Sequence, residues 1–205
     1  MDSIDRLTAL FEKFPGIGPR QARRFVQYLL STSPATRQEL SDHIKQLGAQ
    51  SRQCDRCYRW FTKDGGKGDL CGICASTSRE ESVLFVVEKD ADIENVERSG
   101  FKGLYFVLGG TIALASEEPE KFVRLRELVR RVEEDASKLL LNELILGLSA
   151  TTEGDHTRLL LQEKILPMGE GFNFKVSSLG RGLSTGSELE YADPDTIHNA
   201  LESRS

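Results

Sequence analysis

The chain is 205 residues long, 39% apolar and 29% charged, and its 27 Lys and Arg against 32 Asp and Glu leave a net charge of −5. That length accommodates one sizeable core with an appendage, or two or three small modules, and no run approaches the ~18 apolar residues of a membrane span. The charge changes sign along the chain, with 12 basic and 8 acidic side chains in residues 1 to 78 and 15 and 24 in residues 79 to 205. A basic front half suits a polyanion and an acidic back half avoids one or meets a basic protein, although a small basic excess is also ordinary solvated surface.

In chain order, the first predicted helix starts at Ser3, with Ile4, Leu7, Leu10, Phe11 and Phe14 on one apolar face, and Pro15 stops it. Gly16-Ile17-Gly18-Pro19 follows: two glycines permit a tight turn, and Pro19 suits the first position of a second helix whose buried stripe is Ala22, Phe25, Val26 and Leu29. A third helix is expected from Pro34 to Leu47, with Leu40, Ile44 and Leu47 in phase. Helix, Pro-Gly-Ile-Gly, helix is the pattern of a helix-hairpin-helix element. Gly16 and Gly18 leave backbone N–H groups uncovered at a helix N-terminus, where unpaired donors and the helix dipole favour a phosphate. Arg20, Arg23 and Arg24 lie in the first turns of the same helix, and each phosphate they neutralise would release counterions and add salt-dependent, sequence-independent affinity. The plain alternative is a turn between two packed helices.

All four cysteines of the chain form two pairs, Cys54-x2-Cys57 and Cys71-x2-Cys74, separated by residues 58 to 70. A C-x2-C knuckle brings two sulfurs to one ion at ~2.3 Å, and two knuckles complete a tetrahedral zinc shell. Disulfides or a thioredoxin-like redox motif are the rivals. Against them, the acidic Met1-Asp2-Ser3-Ile4-Asp5 opening is not a secretory signal, and the expected setting is the cytoplasm. Four thiolates leave no open position, so one structural Zn²⁺ per chain is expected. Tyr58, Trp60 and Phe61 are expected to cover the knuckle, in preference to stacking on a nucleic-acid base. Gly65-Gly66-Lys67-Gly68 lacks phosphate-loop spacing and reads as the tip between the knuckles.

Beyond the cysteines the pattern alternates. Strands are expected at 82–87, 104–108, 143–148 and 174–179, and helices at 92–99, 120–134 and 157–166. Such alternation predicts a mainly parallel sheet with helices on its faces. A last helix starts near Asp193-Pro194, an N-cap followed by proline. Glu88 ends the first strand, and Glu153-Gly154-Asp155 follows the third. Carboxylates at the C-terminal ends of strands stand where ligands and Mg²⁺ sit in open α/β sheets, although each could equally be a cap or a surface charge. His43, His156 and His198 share no partner motif, and no G-x-S-x-G elbow or Ser/His/Asp grouping is visible.

Taken in order, these motifs resemble the RecR family of bacterial recombination mediators. The resemblance rests on Pro15-Gly-Ile-Gly-Pro19, the cysteine pairs, Val86-Val87-Glu88, Leu108-Gly109-Gly110 and Thr152-Glu153-Gly154-Asp155. Gly180-Arg181-Gly182 and Gly186-Ser-Glu-Leu-Glu-Tyr191-Ala-Asp193 complete it. It implies a multi-domain α+β chain: a helix-hairpin-helix DNA-binding domain (1–52), a four-cysteine zinc finger (53–79), an α/β Toprim domain with a mainly parallel sheet (80–173) and a C-terminal strand-helix segment (174–205). It further implies a homo-tetrameric ring that encircles DNA and works with RecO and RecF to load recombinase on gapped single strands. Arg20 and Arg24 would then face DNA, and Glu88, Glu153 and Asp155 would line a Toprim surface for partners. Three departures stand out. Catalytic Toprim domains carry a D-x-D where this chain has Ser149 and Thr151, which removes two Mg²⁺ ligands and argues against an enzyme. The inter-cysteine loop is longer than the family's usual one, and Ala115-Ser-Glu-Glu-Pro119 replaces a Gly-Ile-Gly-Pro run. The rival functions are a Mg²⁺-dependent Toprim nuclease or related phosphoryl-transfer enzyme, and a zinc-ribbon adaptor that binds proteins only.

Overall fold

The computed structural model describes residues 2–116, 118, 121, 123–180, 182–183, 186 and 188–202. The chain divides into two compact units, Met1–Arg52 and Gln53–Ser205. Arg181 and Ser187 of the C-terminal motifs, and Glu117, Pro119 and Glu120, lie outside the described residues.

The first unit is helical. Asp2 caps α1 (Ser3–Phe11) by accepting the Asp5 N–H at 2.8 Å. The helix ends before Phe14, a correction to the expected apolar face. The Lys13 and Phe14 amides bond to the carbonyls of Leu10 and Phe11, a tighter i−3 pattern that closes the helix ahead of Pro15. Phe14 still packs beside Phe11, with ring centroids 5.9 Å apart. In α2 (Pro19–Ser31) the stripe reduces to Ala22 and Val26 as fully buried residues. Ser33 caps α3 (Pro34–Gln50), and Arg37 ties it back to the Leu29 carbonyl at 3.0 Å. No residue of α3 is fully buried: its apolar stripe, Leu40, Ile44 and Leu47, is 42, 64 and 65% exposed.

β1 (Ser51–Gln53) straddles the boundary between the units. In the second unit, the short strands β2 (Trp60–Thr62), β3 (Gly66–Lys67) and β4 (Leu70–Cys71) build the cysteine finger, with β3 and β4 antiparallel. The main sheet follows in the order β6-β5-β7-β8, with every neighbouring pair parallel. Its strands are β5 (Glu80–Val87), β6 (Gly103–Val107), β7 (Glu143–Gly147) and β8 (Lys175–Ser178). Side-chain alternation sorts them between two layers. Leu84, Val86, Leu104, Phe106, Leu144 and Leu146 meet Leu128 and Val132 of α5 (Leu125–Ser137) and Leu161 and Ile165 of α6 (Thr152–Phe172). Phe85, Val87, Tyr105 and Val107 face the opposite side, against Ile93 of α4 (Asp90–Arg98) and Phe101. Gly147 is obligatory in this packing, because a Cβ there would lie 2.0 Å from the Phe85 ring.

In the second unit two helices differ from expectation by more than two residues at an end. The helix predicted at 120–134 begins at Leu125: the Arg124 amide is spent on the Leu108 carbonyl at 2.8 Å, so the chain enters from the sheet. The helix predicted at 157–166 runs from Thr152 to Phe172, straight through Pro167. Pro167 and Glu163, whose carbonyl it leaves without a helical donor, are both exposed to water, so the break costs little there. Asn173, in the left-handed conformation at φ 61°, ends that helix. α7 (Pro194–Glu202) starts as expected behind Asp193, which accepts the Thr196 N–H at 2.9 Å.

Candidate metal centre and nucleic-acid interface

The four cysteines converge. Cys54, Cys57, Cys71 and Cys74 are all buried, and their sulfurs lie within 4.8 Å of one another. The Cys57 and Cys71 sulfurs are 3.7 Å apart, too far for the ~2.05 Å bond of a disulfide. That separation fits the edge of a tetrahedron whose centre holds an ion at ~2.3 Å from each thiolate, about 3.8 Å. Local backbone bonds shape both knuckles: Tyr58 donates to the Cys54 carbonyl and Cys54 to the Arg59 carbonyl, at 2.9 and 2.8 Å. In the second, Ala75 donates to the Cys71 carbonyl at 2.9 Å. Cys57, Cys71 and Cys74 hold the Cys54 thiol well below its ordinary value, and the same crowding, led by Cys54, pushes Cys57 up. Four such thiols ionise together only with a cation between them. Among the described residues this is the one group of three or more His, Cys, Asp or Glu arranged to hold a metal.

The expected aromatic cover is only partly present. Phe61, Leu70 and Ile73 pack against the sulfurs, and Gly66 is needed because a Cβ would lie 2.3 Å from the Phe61 ring. Tyr58 instead packs on Phe106 of the main sheet at 5.4 Å, with Arg124 above its ring and Arg130 donating to its hydroxyl at 3.1 Å. Trp60 points out of the finger and is 57% exposed, because strand alternation sends Phe61 inward and its neighbours outward. The finger is stitched to the sheet by Val107 donating to the Cys57 carbonyl at 2.9 Å and Arg131 to the Arg56 carbonyl at 2.8 Å. Arg56 adds an ion pair to buried Asp135 at 3.4 Å. The two arginine bonds span more than 70 residues of sequence and carry no local signal.

In the first unit, the α1–α2 turn brings Gly16, Gly18, Arg20, Arg23 and Arg24 to one exposed end of α2. Gly16 takes φ +75°, which favours glycine, and Gly18 is an N-cap without a side-chain bond to the helix. Open space surrounds both α-carbons, so backbone donors of the first turn can be approached closely. Arg20, Arg23 and Arg24 are exposed, with no ion pair among the described residues.

The acidic positions gather at the C-terminal end of the sheet but do not converge on one point. Glu88 is buried, and its carboxylate accepts the Ser149 N–H at 2.6 Å. The hydroxyls of Ser149 and Thr151 bond each other at 2.9 Å, and Thr151 caps α6 by accepting the Gly154 N–H at 3.1 Å. The two positions of the missing D-x-D are thus occupied with building the helix entry. A Cβ at Gly154 would sit 2.1 Å from the Ser149 carbonyl oxygen, which makes that glycine part of the same turn. Glu153 is exposed, and Asp155 pairs with Arg158 at 3.2 Å. Opposite, Leu108-Gly109-Gly110 turns away from β6 with φ +104° and +149° at its glycines. Nearby, burial raises the Asp90 pKa while its carboxylate accepts the Trp60 N–H at 3.0 Å.

A parallel sheet of order β6-β5-β7-β8 with an acid after its first strand and a capped acidic turn after its third defines a Toprim domain, and the Toprim domain profile matches residues 82–179. The profile "RecR, C-terminal" matches residues 182–205. The Recombination protein RecR of Chloroflexus aggregans is 38% identical over 98% of this chain and 92% of its own length. The RecR proteins of Roseiflexus sp. and Prochlorococcus marinus (strain MIT 9301) are 36 and 35% identical over 98% of this chain and 92 and 94% of theirs. The chain belongs to the RecR family of recombination proteins.

Proposed function

We propose that the protein is a DNA-binding clamp of recombinational repair that performs no chemistry of its own. The observation that carries this reading is the open glycine turn with three exposed, unpaired arginines behind it. The backbone N–H groups of Gly18 and Arg20 would take one phosphate, and the Arg20, Arg23 and Arg24 side chains its neighbours, with no base read. Zinc is the ion we assign to Cys54, Cys57, Cys71 and Cys74, since four buried thiolates at tetrahedral spacing suit it and leave no position for substrate. Its role would be to hold the finger that the hydrophobic contacts of so short a segment cannot. Metal analysis should find one zinc per chain.

By the family resemblance, the protein would act in the cytoplasm as a homo-tetrameric ring with RecO and RecF, loading recombinase on gapped single-stranded DNA. Glu153 and Asp155, flanking the α6 entry, would belong to the partner surface, with Glu88 holding the turn beneath them. A Mg²⁺-dependent nuclease would need these carboxylates to share an ion. Glu88 is instead committed to a backbone amide and Asp155 to Arg158. The decisive experiment is retention of the purified protein on closed circular duplex DNA and on the same DNA linearised, through a moderate-salt wash. Retention on the circle with loss from the linear form is the expected result. Equal release from both would leave the turn as a surface contact and remove the clamp. DNA cleavage at any Mg²⁺ concentration would restore the nuclease.

A further inference from the structure

We propose that the cleft between the cysteine finger and the starts of β5 and β6 binds single-stranded nucleic acid, with a base stacked on Trp60 and phosphate held by Arg59 and Lys102. The cleft has a volume of about 510 Å³, and Arg59, Trp60, Ser76, Ser78, Arg79 and Lys102 are on its walls. Its lining contains three cations and no carboxylate, in a chain where Asp and Glu outnumber Lys and Arg. Glu97 neutralises Arg79 and fixes its orientation, with Nη1 donating at 2.8 Å. Arg59 and Lys102 have no ion-pair partner among the described residues, so the cleft keeps two positive charges open to an anion. Asp90, which feels the Arg59 charge from the rim, is outside the lining and is engaged by the Trp60 backbone.

An exposed indole beside two available cations is the combination that single strands use: the ring offers a face to any base, and the cations follow the backbone. Trp60 is not needed at the metal centre, since Phe61 covers it from the next position. In duplex DNA the bases are already stacked and paired, so no base face reaches the ring. An acidic peptide would satisfy Arg59 and Lys102 but leave the indole without a planar partner. This site is independent of the glycine turn in the first unit and does not rest on its reading.

Trp60 is the only tryptophan in the chain, so its emission reports this cleft alone. The test is fluorescence titration of the full-length, metal-loaded protein with an oligothymidylate of about fifteen nucleotides. Saturable quenching is expected in the native protein, and it should persist in the Arg20→Glu, Arg24→Glu double variant. Arg59→Glu with Lys102→Glu should shift the midpoint about tenfold or more, and Trp60→Ala should lose about tenfold in affinity by an anisotropy assay. Its side chain is exposed, so metal content and circular dichroism should stay native. Absence of quenching would overturn the proposal, as would equal quenching by duplex DNA or polyglutamate, or full affinity in Trp60→Ala. Quenching that persists while the Arg20→Glu, Arg24→Glu variant keeps native duplex affinity would sink the helix-hairpin-helix reading and leave this one standing.

Discussion

Single residues divide this molecule into groups with local signals and groups without. The cysteine knuckles and the glycine turn are legible because their chemistry is built within four or five residues. The Glu88–Ser149 bond joins positions 61 apart, so spacing points to the acid but not to its engagement with a backbone amide. Sequence alone misplaces Trp60, because aromatics crowded at 58, 60 and 61 give no sign of which one strand alternation turns outward. At the glycine turn, Arg20→Glu with Arg24→Glu should lower DNA affinity at least tenfold. The log-affinity against log-salt slope should become shallower by about 0.9 for each phosphate no longer neutralised; binding measured at several salt concentrations checks this. Glu97 has its pKa drawn below the ordinary 4.5, first by Arg79 and then by the Tyr105 hydroxyl, against burial. A carboxylate depressed in the folded state adds stability that is complete above pH 4.5 and is lost as pH falls through the folded value. Urea unfolding from pH 7 to 3 should therefore show a flatter acid limb in Glu97→Gln.

Elements are legible where period and punctuation agree. The four strands of the main sheet alternate with helices in the pattern of a parallel sheet, and their ends fall within two residues of expectation. Pro167, Gly169 and Gly171 normally stop a helix, and they place the end of α6 too early when only local signals are weighed. Gly169 is instead a close contact, with the Phe174 carbonyl oxygen 2.9 Å from where its Cβ would be. Packing against β8 thus overrides local punctuation, and only tertiary structure carries that information. The finger, by contrast, has few apolar contacts beyond Phe61, Leu70 and Ile73. Chelation should raise amide hydrogen exchange across residues 54–75 by about an order of magnitude or more while β5 and β7 stay protected; exchange mass spectrometry reads both segments at once.

For the whole molecule, the notable property is apolar surface that the chain by itself leaves wet. Phe14, Tyr28, Ile44 and Leu47 are each more than half exposed in the first unit. A self-associating chain would cover them, and Ile44→Asp with Leu47→Asp should shift the mass by light scattering toward smaller species if the ring reading holds. In the second unit, β6 is an outermost strand of the main sheet, and its outward-facing polar groups would pair with any extended chain that came near. The Val107 amide is taken by Cys57 and its carbonyl by Arg124, at 2.9 and 3.1 Å. Cys57 is one of the four cysteines placed to hold a metal, so an ion bound there would do more than shape a small finger. Loss of that ion would loosen the loop that covers the Val107 amide and leave that donor at the sheet margin to any strand that approached.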